Sequence, residues 1–220
     1  MSRAFIFPGQ GSQYVGMGKT LWETFPEARE TFEEIDESLG QNLSKMMFEG
    51  PEDSLNLTEN TQPALMAVSL AVGKVLGKQG GFKLQDKAAF AAGHSLGEYS
   101  ALTAAGSLAL SDTAKLLKLR GQSMQKAAPV GLGAMAAILG LSFEEVKAIA
   151  EQAAAGGKVC QAANDNSVGQ VVISGHKEAV EAAIALAAEK GAKRSVLLPV
   201  SAPFHCALMQ PAADVMRDAL

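Results

Sequence analysis

Ser95 lies at the centre of Gly93-His94-Ser95-Leu96-Gly97, a G-x-S-x-G pattern. The small-residue stretch Ala88–Ala92 before it reads as a strand, and Leu96–Ala105 after it reads as a helix. A serine on so sharp a strand-to-helix turn has a strained backbone, and glycines on both sides relieve the crowding. The turn aims Oγ outward and points N–H groups of a helix N-terminus at the place where an oxyanion would develop. A glycine-rich turn with an incidental serine would read the same in isolation; the strand–turn–helix context favours a nucleophile.

A nucleophilic serine needs a base. The three histidines are His94, His176 and His205. His94 adjoins the serine, so its side chain points elsewhere on the turn. His176 opens a predicted helix and reads as a solvated cap residue. His205, in Ala202-Pro203-Phe204-His205 after the last predicted strand, is the base by elimination. Arg120 is the third informative residue, on a helical stripe with Leu116, Leu117 and Met124. An inward guanidinium must meet an anion. The sequence leaves two choices open: an internal salt bridge to Glu98 or Asp112, or a bidentate fork on a substrate carboxylate.

The loop Pro8-Gly9-Gln10-Gly11-Ser12-Gln13 allows close backbone approach to a ligand, or is an ordinary glycine turn. It fails as G-x-G-x-x-G because position 14 is Tyr14. Gly18-Lys19-Thr20 fails as a P-loop tail because position 13 is Gln13. Nucleotide binding is therefore not expected.

The elements that must position these residues follow from periodicity. Ala4–Phe7 reads as a buried strand stopped by Pro8-Gly9. Pro26–Leu39 has a helical apolar face and a Gly40 stop. Pro63 sits where a first helical turn tolerates it, opening a helix through Leu65, Val68 and Val72 to the 77–81 region. Ser111 caps a helix to about Gln125. From there the rhythm is strand Ala134–Leu139, a capping box at Ser142–Glu145 opening a helix to Ala155, and strand Val159–Ala163. A polar turn Asn164–Ser167 and strand Val171–Ser174 follow. A helix on Val180, Ala183, Ile184 and Ala187 is closed by Gly191, and Arg194–Val200 is the last strand. That β-α-β-β-α-β order is a ferredoxin-like unit, placed at 128–198 as an insertion into a larger α/β body of 1–127 and 199–220. The end at Leu220 is still helix-patterned, so the body is expected to be C-terminally incomplete.

Composition bounds the function. The 220 residues are 48% hydrophobic and 19% charged, which argues against disorder. A net charge of −4 gives no sign of a nucleic-acid partner. Cys160 and Cys206, with no CxxC pair, supply neither a disulfide framework nor a zinc site, so no metal is expected. No apolar run is long enough to span a membrane, and the N-terminal apolar stretch is too short for a signal peptide. A soluble cytoplasmic protein is expected.

Several stretches together resemble a known family. They are Phe7–Gln13, Asn60–Leu65, Ala92–Ala101, Arg120-Gly121, Asn164–Ser167 with Gln170–Gly175, and Val200–His205. In this order, across nearly the whole chain, they resemble the malonyl-CoA:acyl-carrier-protein transacylases of bacterial fatty-acid synthesis and, more broadly, the acyltransferase domains of polyketide synthases. The resemblance implies an α/β-hydrolase-like body with a central parallel sheet and a ferredoxin-like insertion. It implies transfer of malonyl from malonyl-CoA to the phosphopantetheine thiol of acyl carrier protein, with no cofactor, by a monomer. On it, Ser95 is acylated, His205 is its base, and the N–H groups of Gln10 and Leu96 form the oxyanion hole. Arg120 grips the malonyl carboxylate and Gln62 lines the pocket; Leu96 and Phe204 mark the malonyl-selecting variant. Family members are longer, and their base is oriented by a backbone carbonyl beyond residue 220. The resemblance therefore leaves the group that orients His205 unassigned.

Two other readings remain at this level: a serine hydrolase with Asp112 or Asp165 as triad acid, and a non-catalytic carrier-binding fragment. Acyl carrier proteins are strongly acidic, so docking requires a local basic patch. Lys190, Lys193 and Arg194 form such a cluster, although cations at a solvated helix end also complement its dipole.

Overall fold

A computed structural model describes residues 3–129, 131–200 and 202–220; Ser201, within one of the stretches above, lies outside the described residues. The protein is mixed α/β, with a parallel and an antiparallel sheet. It divides into two compact units, Met1–Gln122 with Leu220 and Ser123–Ala219.

In the first unit, β1 (Ala4–Phe7) pairs in parallel with β2 (Phe90–Gly93), Phe7 opposite Gly93. Between them run α1 (Lys19–Thr24), α2 (Pro26–Leu39), α3 (Leu43–Glu49), α4 (Glu52–Leu55), α5 (Thr58–Gly80) and α6 (Leu84–Lys87). After β2 come α7 (Leu96–Ala104) and α8 (Leu110–Ala127). The core gathers Phe32 and Ile35 of α2, Leu65, Met66 and Leu70 of α5, Leu96 of α7 and Leu117 of α8.

Sequence patterns bound α2 correctly: Pro26 is its first residue and Gly40, at φ 57°, its left-handed stop. Three expectations need correction. Pro63 is not in the first turn of its helix, because α5 begins five residues earlier at Thr58. The proline removes only the N–H that would meet the Glu59 carbonyl. Ser111 is inside α8 rather than capping it. β1 is not buried throughout: Phe7 is buried and Phe5 packs against the core, while Ile6 is 77% exposed. Alternate strand residues face opposite sides, and this two-stranded sheet is covered on one.

The second unit runs β3 (Gly133–Leu139), α9 (Phe143–Ala153), β4 (Cys160–Ser167), β5 (Gln170–His176), α10 (Lys177–Glu189), β6 (Arg194–Leu197) and α11 (Gln210–Ala219). The sheet order is β4-β5-β3-β6, antiparallel at every pairing. The side-chain period of two gives it two apolar faces. Ala136, Ile138, Val171 and Ile173 pack with α9 and α10. Met135, Ala137 and Val172 face Met124, Phe204, Met209 and Ala212. The capping box forms: Ser142 Oγ accepts from Glu145 N, and the Glu145 carboxylate accepts from Ser142 N. This holds the Glu145 carboxyl below its usual range.

Asn164–Ser167 is not a turn but the end of β4, with bulges at Ala162/Asn164 and Asp165/Ser167. Its polar side chains suit an edge strand, and the reversal is made two residues later by Gly169 at φ 74°. Among the described residues, no helix is long and apolar enough to cross a membrane.

Candidate active site

Ser95 has φ 55° and ψ −112°, a conformation that side chains with a Cβ rarely adopt. Glycines make it possible. A Cβ on Gly93 would overlap the Gly97 carbonyl, and one on Gly97 would overlap the Phe7 carbonyl. A Cβ on Gly9 would lie 2.5 Å from His94 Nδ1. The Ser95 turn, the end of β1 and the Pro8–Gln10 loop are therefore in backbone contact, and His94 N donates to Phe7 O across 3.1 Å.

Two backbone donors stand at this junction. Leu96 opens α7, with its side chain buried. Gln10 lies on the adjoining loop, its side chain donating to Thr58 Oγ1 at 3.4 Å. Among the described residues, neither backbone N–H is taken by an acceptor.

Arg120 reaches this turn from α8. Its Nη2 donates to Ser95 Oγ at 3.0 Å, and its Nη1 donates to Gln62 Oε1 at 2.7 Å. Gln62 is only 1% exposed. Among the described residues, neither Glu98 nor Asp112 forms a salt bridge with the guanidinium, so the internal pair considered from sequence is not the one formed. Burial pushes the Arg120 pKa down from its ordinary value, opposed by Tyr99 and Glu98. Ser95 and Gln62 are neutral acceptors, so the half-buried cation is solvated by dipoles there and favours a further anion.

Sequence reasoning missed Tyr99 as part of this group. Its ring centroid lies 5.7 Å from the Arg120 guanidinium carbon. Burial raises its pKa, keeping it a neutral phenol. The available signal was spacing: Tyr99 is four residues after Ser95, in the first turn or so of the helix that follows it.

His205 and Phe204 belong to the second unit. His205 is exposed and has φ 59°; with Ser95 it completes the non-glycine residues at positive φ among those described. Its loop is fixed from both sides. Ala202 and Phe204 are buried in the apolar cluster, and Cys206 Sγ donates to Pro203 O at 3.2 Å. Ala207 N donates to Gln161 Oε1 at 2.7 Å. Burial pushes the thiol of Cys206 up, and that of Cys160 to about 11.

His176 is not merely solvated: its Nδ1 accepts from Val159 N at 2.8 Å. Asp112 is exposed in the first turn of α8, and Asp165 is exposed on β4. Lys190, Lys193 and Arg194 are all exposed around the α10–β6 turn.

The model of the acyl transferase domain matches residues 4–220. The chain is 49% identical over 217 residues to the malonyl CoA-acyl carrier protein transacylase of Bacillus subtilis strain 168, spanning 99% of this chain and 67% of that protein. It is 51% identical over 211 residues to the Escherichia coli K12 protein of the same name, spanning 96% of this chain and 67% of that one. The crystal structure of acyl-carrier-protein-S-malonyltransferase from Bartonella henselae superposes with TM-score 0.95 at 58% identity, covering 100% of this chain and 69% of that one. A malonyl-transacylase solved in complex with a type II polyketide acyl-carrier protein superposes with TM-score 0.93 at 46% identity, covering 98% and 68%. With residues 4–220 matched, this chain belongs to the acyl transferase domain family.

Proposed function

We propose that this protein transfers a malonyl group from malonyl-CoA to the phosphopantetheine thiol of acyl carrier protein through an ester on Ser95. The observation that carries this reading is the Arg120 guanidinium 3.0 Å from Ser95 Oγ. In a malonyl ester the free carboxylate lies two carbon–carbon bonds of about 1.5 Å from the ester carbonyl. A cation beside the nucleophile is where that carboxylate must be received. The names of the relatives and the carrier-protein complex point the same way.

In the proposed cycle, the substrate carboxylate takes the guanidinium fork, freeing Ser95 Oγ from the donor it meets at rest. Oγ attacks the thioester carbonyl, and His205 receives its proton. The oxyanion is held by the N–H groups of Gln10 and Leu96. The intermediate collapses, the C–S bond breaks, and the proton passes from His205 to the CoA sulfur. In the second half, His205 takes the pantetheine thiol proton, the thiolate attacks the seryl ester, and the proton returns to Ser95 Oγ. Serine, imidazole and guanidinium supply nucleophile, base and anchor, so the scheme needs no cofactor.

In this reading Phe204 shapes the malonyl pocket and Lys190, Lys193 and Arg194 receive the acidic carrier protein. We also read 1–127 with 199–220 as an α/β-hydrolase-like body and 128–198 as a ferredoxin-like insertion. The βαββαβ order and the β4-β5-β3-β6 sheet support the latter. Product analysis tests the function. With malonyl-CoA alone the protein should stall as acyl-enzyme, and added holo carrier protein should discharge it to malonyl thioester. Steady release of free malonate without a thiol would show a hydrolase instead.

A further inference from the structure

Arg120 can select a carboxylate only if α8 holds it at a fixed register against α5 and the nucleophile turn. The contacts that set this register lie outside the site and converge on Glu59. Lys118 Nζ is 3.3 Å from Glu59 Oε2, and Gln122 Nε2 donates to the same oxygen at 2.9 Å. Lys118 and Gln122 are four residues apart and share one face of α8. Lys118 also donates to Gln41 Oε1 at 2.9 Å and Asn60 Oδ1 at 2.8 Å. Between the two arms, Gly121 brings the α8 backbone onto the first turn of α5: a Cβ there would lie 2.5 Å from Glu59 Cα.

This contact is one residue from Arg120, and Glu59 is one helical turn before Gln62, the acceptor of Arg120 Nη1. A one-residue slip would move α8 by about 1.5 Å and turn it by about a quarter turn. Either motion would take the guanidinium away from Ser95 and Gln62 together.

We propose that Glu59 is the positioning residue for Arg120: its carboxylate clamps Lys118 and Gln122 on either side of Gly121 and so sets the carboxylate preference of the site. The inference rests on the reading of Arg120 as the substrate fork. The experiment measures acylation rates with malonyl-CoA and acetyl-CoA, together with thermal melting, for Glu59→Ala, Glu59→Gln and Arg120→Ala.

Glu59→Ala should lower the malonyl-to-acetyl ratio about ten- to a hundredfold, with the acetyl rate falling far less. Glu59→Gln keeps an acceptor for both arms and should restore most of the ratio. A folded Glu59→Ala with an unchanged ratio, or with both rates falling together, would overturn the proposal. If Glu59→Ala does not fold, Gln122→Met removes a single arm and must lower the ratio in the same direction; an unchanged ratio there overturns it equally. An unchanged ratio in Arg120→Ala would instead remove the fork reading itself, so the two failures are distinguishable.

Discussion

Ser95 and His205 share an unusual backbone state, φ 55° and φ 59°, yet the two regions hold it by different means. At Ser95 the means is glycine. Gly93, Gly97 and Gly9 each lack a Cβ that would collide with neighbouring backbone or with His94. At His205 the means is packing: Ala202 and Phe204 are buried on the sheet, and Ala207 N is tied to Gln161. Strain of about 1–3 kcal/mol per such residue persists only where its surroundings over-determine it, and such residues gather at functional sites. The first region writes its geometry into the local sequence, whereas the second borrows it from residues far along the chain.

The largest expected effect of breaking this contrast is at Gly93. Gly93→Ala forces a methyl group into the Gly97 backbone, which cannot move without unmaking the turn. Loss of more than about 3 kcal/mol, or no folded protein, is expected by urea denaturation. Near-native stability would mean that the turn relaxes and the glycines are dispensable.

Next in size is Arg120→Ala, which should leave the fold but removes the cation beside Ser95. Malonyl transfer should lose roughly 2–5 kcal/mol of transition-state stabilisation, while activity on acetyl-CoA rises in relative terms. Arg120→Lys should rescue only in part, because an ammonium cannot form the fork. Equal losses on both thioesters would assign Arg120 a structural role.

The His205 loop offers the matching test. A Cβ on Gly133 would overlap the ring of Pro203, two residues before His205. The struck ring is closed onto the Pro203 backbone nitrogen and cannot rotate away, so the loop itself must shift, and Gly133→Ala should cost about 1–3 kcal/mol of stability. It should still slow acylation of Ser95 about tenfold by shifting the imidazole. Unchanged acylation kinetics would separate the loop from the chemistry.

The smallest expected effect is at Lys190 and Arg194. Exposed charges interact by about 0.2–1 kcal/mol each, so reversal of both should weaken transfer to carrier protein severalfold, more at low salt. Transfer to free pantetheine should be unaffected; parallel losses with both acceptors would remove the docking role.

The same contrast explains what could be read from sequence. The G-x-S-x-G turn, the Pro26–Leu39 helix with its Gly40 stop and the Ser142 capping box are local devices, and each formed as expected. The errors fell where tertiary contacts decide. Asn164–Ser167 looks like a turn by composition but is held in β4 by the β5 ladder. Ile6 belongs to an apolar run, yet its exposure depends on how many layers cover the sheet. Arg120 was visible as an inward cation, but its bond to Ser95 joins positions 25 residues apart. The Glu59 clamp, 63 residues from Gln122, left no local trace.

The central claim is that Ser95 carries the acyl group, and intact mass spectrometry after mixing with malonyl-CoA tests it most directly. The account predicts a mass increase of one malonyl group on the protein, mapped to the peptide containing Ser95, discharged by a pantetheine thiol and absent in Ser95→Ala. An adduct that persists in Ser95→Ala would contradict it.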